Sequence, residues 1–74
     1  MLPVQCKMAL AALDLGVRDL ATLAKVSPDT VARLLRGAPL RERTVGAIRA
    51  ALEERVEFIA ENGGGPGVRL RKER

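Results

Sequence analysis

Apolar residues first recur along the chain at Cys6, Ala9, Leu10 and Leu13, one stripe of a helix entered at Pro3. Gly16 interrupts that pattern. A second helix is predicted from about Val17 to Ala24, with Leu20, Ala21 and Ala24 inward and Asp19 near its start, where the helix dipole favours an acid. Ser27-Pro28 marks a third start, with serine as N-cap, proline at the first helical position and Asp29 in the positive first turn. That helix turns Val31, Leu34 and Leu35 inward and stops at Gly37, ahead of Ala38-Pro39. A fourth runs from about Glu42 to Glu54, with Val45, Ile48 and Leu52 on one face. After Arg55 the period changes to two. Val56 and Phe58 alternate with Glu57, then Val68 and Leu70 alternate with Arg69 and Arg71, across a loop rich in glycine. This predicts a β-hairpin; the competing reading is a disordered glycine linker with a basic tail, and Phe58, the only aromatic residue, argues against it.

Seventy-four residues allow one small domain with little stability to spare. Cys6 is the only cysteine, so no disulfide is available, and its place on the apolar stripe makes it a core thiol. With no histidine, one thiol cannot hold a structural zinc, and no metal or other cofactor is expected. Ser27 is the only serine and has no histidine to activate it. The acids Glu53, Glu54, Glu57 and Glu61 have no pocket or metal context, so no catalytic residues and no enzyme are expected. The sequence has no run of about 18 apolar residues that could span a membrane and no signal-peptide pattern. With its lone thiol, a cytoplasmic location is expected. Ten arginines to three lysines, with abundant alanine, associate the chain with a GC-rich bacterial or phage genome.

Net charge is +4 and the isoelectric point about 10.2, which makes nucleic acid the leading partner. The excess is local. Residues 25–43 carry five bases against Asp29 and Glu42, net +3. Residues 62–74 carry four against Glu73, again +3. Residues 1–24 balance, and residues 44–61 net −2, with Arg49 and Arg55 against four glutamates.

Residues 17–36 match the pattern of a helix-turn-helix: a small residue where two helices touch, apolar locking positions and a tight turn. Ala21 is the small residue, Leu20, Ala24, Val26, Val31 and Leu34 lock, and Lys25-Val26-Ser27 turns. The segment D-L-A-T-L-A-K-V-S-P-D-T-V-A-R-L-L-R-G (Asp19 to Gly37), with Ala51 and Leu52 closing the fourth helix, resembles the phage-repressor, Cro-like helix-turn-helix family. The tail V-E-F-I-A-E-N-G-G-G-P-G-V-R-L-R-K resembles that of a small Ala/Arg-rich bacterial subgroup of it. The implied fold is mainly α: a compact four-helix repressor-like domain over residues 1–55, then a β-hairpin and basic tail over 56–74 as a dimerisation element. Two positions depart from the family pattern. Lys25 stands where the turn usually has glycine, at a backbone position that tends to positive φ, and Val17 replaces a glutamine often used on phosphate.

The resemblance implies a sequence-specific regulator of transcription, most simply a repressor, that binds double-stranded DNA with its third helix in the major groove. It puts Pro28, Asp29, Thr30 and Arg33 at base edges. Arg33 can grip the O6/N7 edge of guanine, Asp29 can accept from cytosine N4, Thr30 can offer a hydroxyl or meet a thymine methyl, and Pro28 offers apolar contact. Asp29 reads equally well as a helix-start residue. Arg18, Lys25, Ser27, Arg36, Arg41 and Arg43 are assigned to phosphate. A lone domain of this size buries little DNA surface, so a homodimer on a palindromic operator is expected, joined through the hairpin face of Val56, Phe58, Val68 and Leu70. The alternative is that this face covers its own helices. The runner-up function is a protein-binding antitoxin or anti-activator on the same scaffold, whose hairpin or fourth helix holds a protein partner, with the acidic stretch 53–61 suited to that role.

Overall fold

The computed structural model describes residues 1–60 and 62–71. Four helices are followed by an antiparallel hairpin: α1 (Pro3–Leu13), α2 (Val17–Ala24), α3 (Pro28–Leu35), α4 (Glu42–Glu53), β1 (Val56–Ile59) and β2 (Gly67–Leu70). Each helix lies where the apolar spacing places it, and the chain is mainly helical.

Three of the four helices end on the same backbone device. Asp14 after α1, Lys25 after α2 and Gly37 after α3 are left-handed, with φ of 57°, 60° and 80°. In each case the next residue's N–H reaches back five positions: Leu15 to the Leu10 carbonyl at 2.9 Å, Val26 to Ala21 at 3.0 Å and Ala38 to Arg33 at 2.9 Å. These bonds satisfy carbonyls that the helix leaves without partners and turn the chain sharply. Glycine takes this conformation without strain, aspartate tolerates it, and a lysine pays about 1–2 kcal/mol for its Cβ. Lys25→Gly is therefore expected to stabilise the fold by about 0.5–1 kcal/mol, since glycine's greater freedom when unfolded offsets part of the relief. For a domain of this size that raises the melting temperature by roughly 2–8 °C. An unmoved melt would mean that the lysine side chain repays its strain in the free protein.

Helix starts use the side chains at hand. Ser27 caps α3, its hydroxyl accepting the Thr30 N–H at 3.1 Å. Asp19 accepts the Gly16 N–H at 2.8 Å ahead of α2. Gln5 accepts the Leu2 N–H at 2.8 Å ahead of α1.

The core is built from all four helices: Cys6, Ala9 and Leu10 of α1, Leu20, Ala21 and Ala24 of α2, Val31 and Leu34 of α3, Ile48 and Leu52 of α4. α2 packs on α3 and α4, and α1 on α3 and β2. Ala21 is buried in this core on α2, the helix that packs on α3, and there a larger side chain would force the pair apart. Burial pushes the Cys6 thiol up to about 11, so it stays neutral and inert as a core residue.

Val56 is as buried as any residue in the molecule and belongs to this same core, while Phe58 and Val68 pack against it. The strands pair Val56 with Leu70, Glu57 with Arg69, Phe58 with Val68 and Ile59 with Gly67. The alternation is as expected, but its apolar side is turned onto the helices of its own subunit. Of the four residues assigned to a dimer surface, Val56 is fully buried within its own subunit, Phe58 and Val68 are half-buried against its core, and Leu70 is exposed, at 52%. Arg49 of α4 covers the Phe58 ring, its guanidinium carbon 5.6 Å from the ring centre. The end of the basic tail, residues 72–74, and Glu61 lie outside the described residues.

Gln5 completes the attachment. It is the one buried polar side chain among the described residues, 4% exposed. Its amide nitrogen donates to the carbonyls of Ile59 at 2.9 Å and Gly67 at 3.0 Å, which face each other across the hairpin. One side chain thus starts α1 with its oxygen and holds the hairpin with its nitrogen.

Candidate nucleic-acid interface

The outer side of α3 is set by its own periodicity. With Val31 and Leu34 buried, Asp29, Arg33 and Arg36 fall at i, i+4 and i+7 and form one exposed stripe. Pro28 is exposed beside it and Thr30 half-buried. Within this group the side chains already make contacts. The Arg33 Nε lies 3.2 Å from the Asp29 Oδ2, with both side chains largely in water. The hydroxyls of Ser27 and Thr30 are 2.8 Å apart. The threonine hydroxyl keeps acceptor capacity beyond this bond, so both it and the methyl can meet a ligand.

The six residues assigned to phosphate fall on the starts and ends of α2, α3 and α4. Arg18 is in the first turn of α2, Lys25 ends it, and Ser27 caps α3. Arg36 closes α3, Arg41 occupies the N-cap position of α4 without a side-chain cap bond, and Arg43 is in the first turn of α4. All six are exposed.

Ion pairing divides the cations into two sets. Arg49 pairs with Glu53 at 2.9 Å, Arg69 with Glu57 at 3.5 Å, Arg71 with Glu57 at 3.8 Å, and Arg33 with Asp29. Lys7, Arg55 and the five cations assigned to phosphate, Arg18, Lys25, Arg36, Arg41 and Arg43, make no ion pair among the described residues. Arg18, Arg41 and Arg43 also stand at helix starts, where the dipole disfavours each cation by about 0.3–1 kcal/mol. No ion pair among the described residues compensates them. A surface of unmatched cations is chemically suited to a polyanion.

The acidic stretch looks different. Glu53 and Glu57 are matched by arginines of the same chain, and Arg71 also donates to the Glu53 carbonyl. Two features of the surroundings are missing from the sequence pattern: the Gln5 clamp and the Asp29–Arg33 pair. The second had a signal, the i, i+4 spacing of opposite charges on an exposed helix face. The first had half of one, a glutamine three residues past the start of a helix.

The sequence matches no family model and no curated protein. No helix among the described residues is long and apolar enough to cross a membrane.

Proposed function

We propose that the chain is a sequence-specific double-stranded DNA-binding regulator, most simply a repressor, in which α2 and α3 act as a Cro-like helix-turn-helix. The observation that carries this reading is that the five cations assigned to phosphate all lack an ion-pair partner among the described residues, three of them at helix starts where stability disfavours them. α3 enters the major groove with Pro28, Asp29, Thr30 and Arg33 toward the bases. Arg18, Lys25, Ser27, Arg36, Arg41 and Arg43 hold the backbone on either side and fix the register without reading sequence.

Counterion release tests this. Each neutralised phosphate contributes about −0.9 to the slope of log affinity against log salt, so five cations give about −4 to −5 per subunit. A near-flat dependence on duplex DNA would contradict the reading. It would favour the protein-binding alternative, for which the observation on offer is the exposed apolar set of Leu2, just before α1, and Val4 and Met8 on it. The acidic region is less suited to that role, because Glu53 and Glu57 are matched internally.

The regulator is proposed to bind as a homodimer on a palindromic operator, with half-sites about one helical turn apart. With the hairpin's apolar face covered, copies would meet through Leu70 and the open strand edges, which present backbone groups for pairing. Leu70→Lys should leave a folded, helical monomer with much weaker operator affinity, and its added positive charge rules out an electrostatic cause. Sedimentation that still finds a dimer would exclude this interface.

A further inference from the structure

We propose that Asp29 is a positioning residue for Arg33 and not a reader of cytosine. This rests on the DNA-binding reading and assigns the chemistry of one of its contacts.

The two residues stand one helical turn apart on the exposed stripe of α3, with the Arg33 Nε 3.2 Å from the Asp29 Oδ2. A guanidinium offers five N–H donors in a planar fork. Asp29 takes the Nε edge. The two terminal nitrogens at the far end remain, and they have the spacing that matches guanine O6 and N7. An aspartate ion-paired with an arginine has part of its charge matched by that neighbour, and its carboxylate lies beside it along the helix. It is poorly placed to seek a second base.

The electrostatics support the same assignment. DNA is densely anionic, and a carboxylate carried alone into the groove meets repulsion and loses its water. Paired with Arg33 it enters as half of a neutral couple. The couple also removes a cost of recognition: a long side chain that is ordered only on binding gives up rotamer freedom, and Arg33 is held beforehand. Asp29 therefore trades general affinity for discrimination. Without it, Arg33 keeps its charge and loses its aim.

The test is base preference measured over a set of duplexes varied one position at a time, for the wild type and for Asp29→Ala, Asp29→Asn, Arg33→Ala and the double variant. Circular dichroism establishes that each is folded. Arg33→Ala identifies the guanine position. Asp29→Ala is expected to lower preference at that same position by about 2-fold, the worth of one exposed i, i+4 pair, while non-specific affinity rises. Asp29→Asn removes the charge that makes the pair and should lose the preference as Asp29→Ala does. In the Arg33→Ala background the sign reverses, and Asp29→Ala should tighten binding to every duplex, because an uncompensated anion has been removed.

Three results would overturn the proposal. Relaxation at a different position in Asp29→Ala would make Asp29 a base reader. Equal weakening on all duplexes would make it a helix-start residue. An unchanged guanine preference would make the ion pair incidental. Failure of the underlying reading looks different: the wild type itself would show no preference and no steep salt dependence, and the proposal would fall with it.

Discussion

Gln5→Leu is expected to destabilise the fold by about 2–3 kcal/mol, although leucine has nearly the same volume and is more apolar. The substitution removes three hydrogen bonds at once: to the Leu2 N–H, the Ile59 carbonyl and the Gly67 carbonyl. A typical hydrogen bond contributes about 0.5–1.5 kcal/mol net, and a buried polar group left without a partner costs about 1–3 kcal/mol. The two carbonyls belong to a strand pair and the N–H sits at a helix end, so solvent can recover part of the loss. Small domains hold only a few kcal/mol in total, so this is a large fraction. The loss should be uneven. Amides of the hairpin and of the start of α1 should exchange with solvent faster than those of α2 and α3, because those two segments are what Gln5 joins. Denaturant melts give the total, and hydrogen exchange gives its distribution. A leucine variant as stable as the wild type would mean that apolar packing, not the amide, holds the hairpin.

Arg33→Ala is the second large effect, and it falls on function rather than on the fold. Arg33 is exposed and its pair with Asp29 is solvent-screened, so stability should hardly change. On the best operator the variant should lose about 1–3 kcal/mol per contact, up to roughly a hundredfold, with preference relaxed at one base pair of each half-site. Arg36→Ala and Arg43→Ala should instead weaken all sequences alike and flatten the salt slope by about one unit. Arg33→Ala that lowered specific and non-specific binding by the same factor would reassign Arg33 to the backbone.

The local rules of the chain were legible because they are local. Proline and serine mark the start of α3, whereas the left-handed backbone of Lys25, with φ of 60°, is expected from the resemblance alone and not from the residue. The spacing of Leu20, Ala21 and Ala24 identifies the buried side of α2. What stayed illegible depends on partners distant in sequence. Alternation groups Val56 with Phe58 and Val68 with Leu70, but period two is silent on whether that face meets a second chain or helices of its own. α1 and α4 decide it, by packing on β2 and β1. Gln5 is a stronger case, since its acceptors lie 54 and 62 residues away. No window of sequence holds both ends of such a contact.

The candidate surface divides in the same way. That residues 25–43 are basic is plain from the sequence, and so is the outward stripe of α3. Which cations are already matched is not. Arg33 and Arg36 differ little as letters, yet one is engaged by Asp29 and the other makes no ion pair among the described residues. That distinction separates a residue held in one geometry from one left to follow a phosphate, and it divides the proposed base contact from the proposed backbone contact.

The claim that α3 reads DNA sequence is tested most directly by selecting bound duplexes from a random pool with the purified protein, in parallel with Arg33→Ala. The wild type is predicted to enrich one motif of two symmetric half-sites about one helical turn apart, each with a guanine whose enrichment disappears in the variant. A pool that emerges without sequence preference, or the same motif from both proteins, would contradict it.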